Sequence, residues 1–360
     1  MINVKHLTRM LLNTILMIIG FLLIGLACTY DTHISSFYLS LFASVILGVV
    51  SALGESTTLG FCKGFPSTVV GYFGSGTGFA GVFGAGVVLL ATSVLKIRNI
   101  GSLFFAIIPT SIIYILAFWW INRIKARHPY VIDKPNAEET FSYSPPKQIQ
   151  LKMNLNDTQN TVEYYREKEE ELDEASSNKS LTGKILKRIL KRVGFFMANL
   201  CLVYFLEYVC LSSFSLQLVM RLQEKYPERA KTDWALSNGY AIFSFCYQIG
   251  VFLSRSSLSL IKIKRVEVLT VLQAVNFLFF LLNLIFLFVE NLWLCFGLMI
   301  WVGLMAGCSY VNVMYQILES PLLQSSEKEL ALTVTTVGND IGILLASVTS
   351  TVLGATIFHN

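Results

Sequence analysis

Residues 51–86 read SALGESTTLGFCKGFPSTVVGYFGSGTGFAGVFGAG, and this stretch decides the fold. Glu55 lies inside apolar sequence, too far from any loop to be an ordinary surface charge. Beyond it Gly71, Gly74, Gly78 and Gly81 recur at steps of 3, 4 and 3 along one helical face. That spacing strips one side of a helix bare and lets a neighbouring backbone come close, as small residues do between helices in lipid. Glycine weakens a helix interior by about 1 kcal/mol relative to alanine, so seven glycines between Gly71 and Gly86 require a packing or motional reason.

Working outward, the whole chain of 360 residues is 54% hydrophobic and only 14% charged, with apolar runs too long for a soluble domain. The pattern predicts nine membrane spans, near residues 10–29, 37–61, 67–95, 100–121, 194–220, 234–254, 266–289, 292–318 and 330–358. With Met1 placed in the cytosol, the alternating sides divide the 28 Lys and Arg residues 22 to 6 in favour of the cytosol. That bias predicts a cytosolic N-terminus and a lumenal C-terminus. The first apolar run lacks a small-residue cleavage site and reads as a retained span. The seven cysteines are scattered, with no CxxC, and read as buried small hydrophobes.

Residues 1–121 form a predicted four-span bundle and residues 194–360 a five-span bundle. Between them, residues 122–193 form a cytosolic linker whose acidic centre, around Glu163 to Glu174, cannot bury a core and is expected to be mostly disordered. Two glycosylation sequons, at Asn156 and Asn178, fall on the cytosolic side, where they read as chance matches. The linker ends in GKILKRILKRVG, residues 183–194. Here Ile185, Leu186, Ile189, Leu190 and Val193 share one helical face, while Lys184, Lys187, Arg188, Lys191 and Arg192 cover the other. The expectation is an interfacial helix on the anionic cytosolic leaflet, serving either as a topogenic anchor or as a regulatory lipid or partner site.

Deep charges in the spans are acidic: Glu55, Glu207 and Asp340. A charge at a span centre costs about 2.5–3.5 kcal/mol on insertion scales and usually faces a bundle interior or a watery cavity. Polar or small residues share helical faces with them. Ser44, Gly48, Ser51, Glu55 and Thr58 align on the second span, and Thr333, Thr336, Asp340 and Ser347 on the last. Tyr204 stands one turn before Glu207. Tyr240, Ser244, Gln248 and Arg255 share a face of the sixth span; Ser309, Asn312 and Gln316 share one of the eighth. A common interior would satisfy these faces together, which makes it the expected pathway. Each residue also admits the plainer reading of interhelical hydrogen bonding, and Arg255 that of an anchor where its span meets the cytosol.

Enzyme chemistry finds no foothold. Gly76-Thr-Gly-Phe-Ala-Gly81 fits G-x-G-x-x-G but lies in a membrane run with no preceding strand and no acidic partner about 20 residues on. The four histidines fall outside the spans, so a histidine-ligated metal or an intramembrane Ser-His pair has nothing to use. No catalytic residues, metal site, cofactor or nucleic-acid partner are expected.

The sequence resembles the battenin family, eukaryotic lysosomal and vacuolar membrane proteins distantly related to the major facilitator superfamily. The resemblance rests on Leu53-Gly-Glu-Ser, Gly74-Ser-Gly-Thr-Gly78, Tyr204-Phe-Leu-Glu-Tyr208, Tyr247-Gln-Ile-Gly-Val-Phe-Leu-Ser-Arg-Ser-Ser257 and Gly307-Cys-Ser-Tyr-Val-Asn312. It implies an all-α polytopic fold of about nine helices in two bundles, major-facilitator-like. It also implies involvement in lumenal pH, basic amino acid balance and glycerophosphodiester export. Carried over by motif, Glu55, Glu207, Tyr247, Arg255 and Asn312 are expected to line or gate the path. Family members usually have about two further spans ahead of residues 10–29, and this chain starts without them.

The expected function is transport of small polar or zwitterionic solutes, with proton coupling through Glu55, Glu207 or Asp340. The alternative is a membrane scaffold or trafficking regulator that acts through the linker and its basic helix.

Overall fold

The computed structural model describes residues 6–30, 34–62, 65, 67–97, 99–127 and 183–356. The acidic centre of the expected linker lies outside these residues. Among the described residues twelve α-helices run in chain order: α1 (His6–Thr29), α2 (Ile34–Cys62), α3 (Val69–Leu89), α4 (Gly101–Arg127), α5 (Gly183–Val209), α6 (Ser215–Lys225), α7 (Pro227–Thr232), α8 (Trp234–Ser237), α9 (Gly239–Ser256), α10 (Glu267–Phe286), α11 (Leu292–Glu319) and α12 (Ser325–Thr356). Two π-turns interrupt this pattern. One, Leu90–Val94, closes α3; the other, Cys210–Phe214, joins α5 to α6.

Eight segments among the described residues are long and apolar enough to cross a membrane. Seven of the nine expected spans appear directly among them as separate helices, and an eighth is the continuous α5–α6 segment. The expected sixth span, α9, does not qualify on its own composition, because Tyr247, Gln248 and Arg255 interrupt it. Together with the connections that flank it, it nevertheless links one end of the molecule to the other. Before it, Gln223 at the end of α6 donates to the Leu236 carbonyl, beside the Lys225–Glu290 ion pair. Beyond it, Gln316 at the other end of α11 donates to the Ile263 carbonyl. A polar helix can hold this place only because its neighbours, α3 and α11, shield it from lipid.

The charges that alternating spans assign to one side meet at one end. There Arg9 pairs with Glu329 at 3.3 Å, and Arg188 and Arg192 pair with Glu327 at 3.3 and 3.4 Å. At the opposite end Lys225 pairs with Glu290 at 2.6 Å, Arg221 donates to the Leu284 carbonyl, and the Asp233 carboxylate caps α8. Asn283 clamps the α10–α11 connection, its amide exchanging hydrogen bonds with the Val289 backbone around left-handed Leu287.

The basic stretch departs from its expected place. It does not lie apart on a leaflet; it is the first part of α5, continuous with the span that follows. Ile189 and Val193 are fully buried in a core with Ile317, Leu318 and Leu323, while Arg188 and Arg192 reach Glu327 on α12. Lys187 and Lys191 remain exposed. The apolar face that suits a leaflet suits a protein groove equally well, and here the groove takes it.

Packing sorts the helices. The α1 helix lies against α2 and α4, α5 against α12, and α9 against α11, while α3 leaves its sequence neighbours to lie along α9. Four of the seven glycines of α3 face neighbouring helices there: Gly71 meets Leu258, Gly74 meets Val311 and Arg255, Gly78 meets the Phe252 backbone and Gly81 meets Gln248.

Candidate functional site

The bare face of α3 lets Arg255 enter the interior. Its guanidinium donates to the Thr77 hydroxyl on α3 at 2.7 Å and to the Tyr204 hydroxyl on α5 at 3.3 Å. It also stacks over the Tyr310 ring of α11, 4.4 Å from the centroid. Thr77, Tyr310 and Glu55 stand seven to nine residues in from the nearer ends of their helices, about 10–14 Å at 1.5 Å per residue. Arg255 is therefore no boundary anchor. Its helix ends within the apolar slab, and a short 3-10 turn, Ser257–Ser259, begins the chain's way out.

Around this cation stand two acids, each gripped by a tyrosine. The Tyr310 hydroxyl donates to Glu55 at 2.6 Å, tying α11 to α2. The Tyr247 hydroxyl donates to Glu207 at 2.9 Å, tying α9 to α5. Glu207 is 1% exposed and its second carboxylate oxygen has no hydrogen-bond partner among the described residues. The Nε of Arg255 is equally buried and equally without a partner there. Arg255 makes no ion pair with either acid among the described residues, although both lie within its electrostatic reach. Tyr204 and Tyr208 stack with ring centres 6.1 Å apart, both within electrostatic reach of the two acids.

Five helices thus supply Glu55, Thr77, Tyr204, Glu207, Tyr247, Arg255 and Tyr310 to one polar centre. A charged group in hydrocarbon is stable only with polar company, and here the company consists largely of tyrosine hydroxyls. The cation and the acids are held near one another without contact, and hydrogen-bonding capacity remains at the Arg255 Nε and at the second Glu207 oxygen.

The other expected site residues fall elsewhere. Asp340 is exposed on α12, near enough to Glu55 to influence it, and makes no side-chain hydrogen bond among the described residues. Asn312 is buried but turned toward the basic end, where its carbonyl oxygen accepts from the Ile263 backbone and its amide donates to the Cys308 carbonyl. It pins the α9–α10 connection and stands outside the centre. Several expected polar stripes satisfy themselves. Ser44, Thr58, Thr333, Thr336 and Ser347 donate to carbonyls three or four residues back in their own helices.

Tyr310 and Thr77 were not singled out by polar periodicity, although both stand within the motifs 307–312 and 74–78. A buried set on α10, Gln273, Asn276 and Asn283, was also missed. Its signal was available: three amides within an otherwise apolar span.

A family model described as "CLN3 protein" matches residues 1–359. The chain belongs to the CLN3/battenin family. Among curated relatives, it is 31% identical to Battenin of Dictyostelium discoideum, over 96% of this chain and 78% of that protein. It is 29% identical to Protein BTN1 of Debaryomyces hansenii, over 92% of this chain and 75% of the relative, and 28% identical to Protein BTN1 of Yarrowia lipolytica, over 91% and 76%. As a battenin-family chain with eight long apolar helices and a shielded ninth, it is a multi-pass membrane protein.

Proposed function

We propose that this battenin-family protein is a transporter of small zwitterionic or polar solutes in a vacuolar or lysosomal membrane. Its solute class is that of glycerophosphodiesters or basic amino acids, and its transport is proton-coupled. The observation that carries the reading is Arg255, a half-buried cation that stacks and hydrogen-bonds with neutral side chains, while two acids within its electrostatic reach are bonded to tyrosines rather than to it. A solute anion would take the guanidinium and a solute cation the acids. Glu55 and Glu207 are the groups able to exchange a proton as their tyrosine bonds open. The helices of residues 1–121 and 194–360 would rock against each other along α3 and α9.

The test is flux in proteoliposomes of glycerophosphodiesters and basic amino acids, with and without an imposed pH gradient. Arg255→Gln removes charge-assisted bonds worth about 1.5–3 kcal/mol, so flux should fall roughly 10–100-fold. Glu207→Gln should abolish the gradient dependence before it abolishes binding. Gradient-independent flux in the wild type would refute the coupling. Absence of flux for every solute from a folded chain would refute the transporter reading and favour a scaffold.

A further inference from the structure

At the basic end, remote from the polar centre, α5, the last turns of α11 and the following turn enclose a half-open pocket of about 450 Å³. Its walls include Arg192, Phe195 and Phe196 from α5, Gln316 from α11, and Pro321 and Leu322 from the turn. Most of the surface it offers is apolar, and Phe195 and Leu322 are well exposed. The pocket lies where the helices leave the hydrocarbon, because α5 passes there from its basic turns into its apolar span.

The charge around the pocket is one-sided. Lys187 and Lys191 project from α5, and Lys262, Lys264 and Arg265 from the α9–α10 connection, all exposed. That connection is held beside the pocket, since Gln316 in the wall donates to the Ile263 carbonyl at 3.1 Å and Lys262 donates to the Tyr315 hydroxyl at 3.1 Å. Arg192 is fixed at the rim by the Leu322 carbonyl and by Glu327. Glu319 is the one carboxylate among the lining residues. Lysines at helix ends serve topology, and an apolar hollow at this level accepts any acyl chain. A basic rim on an apolar hollow asks for both properties in one molecule.

We propose that this pocket holds an anionic phospholipid of the leaflet at the basic end, its head among Lys187, Lys191 and Arg192 and its first acyl segment against Phe195, Phe196 and Leu322. By the distribution of Lys and Arg, that leaflet is the cytosolic one. A soluble anion would leave the apolar walls wet, and a soluble peptide would compete with bilayer lipid at the same depth. The site is independent of the solute path.

The test is native mass spectrometry of the full chain, delipidated in detergent and offered phosphatidylserine or phosphatidylcholine at equal mole fraction. The wild type should retain one phosphatidylserine in preference to phosphatidylcholine. Each exposed charge removed should weaken retention roughly fivefold, so Lys187→Gln with Lys191→Gln should cost about 25-fold. Leu322→Gln removes only an apolar wall contact and should weaken retention modestly, while Leu322→Glu also places an acid there and should cost about fivefold more than Leu322→Gln. Gel filtration and circular dichroism establish that each variant is folded; if Leu322→Glu is not, the lysine pair decides. Equal retention of both lipids by the wild type, indifference to the lysine changes, or equal loss in both Leu322 variants would overturn the proposal. So would displacement of the lipid by excess inorganic phosphate, which would leave the apolar walls without a role.

Discussion

The glycine seams of this molecule are of two kinds, and the two are built differently. Along α3 and α9, the glycines of α3 mostly meet side chains: Leu258 at Gly71, Val311 at Gly74 and Gln248 at Gly81. Along α9 and α11, Gly250 and Gly303 meet backbone, the first against the Ile300 carbonyl and the second against that of Tyr247. The α5–α12 seam is of this second kind, with Gly338 2.6 Å from the Met197 carbonyl at the position a Cβ would take. Side chains can swing and main chains cannot. A seam padded by side chains is suited to sliding, and a seam of backbone on backbone is suited to holding its helices as one body. The sliding seam is also the one that Arg255 crosses.

The sharpest way to break this comparison is to add one methyl group at each seam. Gly250→Ala drives a Cβ into the Ile300 carbonyl, which no rotamer can clear. We expect a loss at or above the upper end of the usual 1–3 kcal/mol for overpacking, read as failure to express or a collapsed unfolding temperature. Gly78→Ala is the intermediate case, because its new carbon would lie 2.8 Å from the Phe252 Cα, the one backbone contact on the softer seam. It should cost about 1–3 kcal/mol and slow flux more than it weakens solute binding.

Gly81→Ala meets only the end of the Gln248 side chain. The swing of that side chain offsets the helix propensity gained, about 1 kcal/mol, and the unfolding temperature should barely move. If Gly81→Ala proves as damaging as Gly250→Ala, the distinction between the seams fails.

The smallest expected effect belongs to an exposed contact away from both kinds of seam, Lys225 at the end of α6 with Glu290 in the α10–α11 connection. Hydrogen bonds from Lys225 and Tyr226 hold the Glu290 carboxyl below its ordinary value of 4.5. A lowered folded-state value means that the group's contribution is present above that ordinary value and is lost as pH falls through the folded one. Wild type and Glu290→Gln should therefore differ by the same small margin from pH 7 to about pH 5, converging only under stronger acid. A margin that vanishes already near pH 6 would contradict the pairing. Thermal unfolding across that range measures it.

Much of this was legible in the sequence. The steps between Gly71 and Gly81 marked a close contact, and Glu55 and Glu207 were visible as charges where hydrocarbon should be, whereas Arg255 read as standing where its span meets the cytosol. What could not be read was company. Periodicity places Arg255 on a face of α9 but cannot say that Thr77, Tyr204 and Tyr310 arrive there from three other helices. The amphipathic pattern of residues 183–194 shows that one face is apolar without saying whether lipid or protein covers it. Asn312 looked like a path residue because an amide in a span invites that reading, while its partner, the Ile263 backbone, is 49 residues away in sequence. The backbone seams did leave a signal: Gly303 with Gly307 and Gly338 with Gly342 each stand four apart, the spacing of close helix contact.

The π-turn at Cys210–Phe214 begins three residues after Glu207. Such a turn closes over five residues where an α-turn closes over four, so it stores one surplus residue while the helix on either side keeps its phase. For the lineage this is a record of length. A one-residue deletion inside 210–214 would convert the turn to ordinary helix and leave the faces of α5 and α6 aligned, whereas the same deletion at Tyr204 would swing every later side chain by about 100°. Length differences among family members should gather at this turn, and a deletion scan through the span should find its tolerant position there.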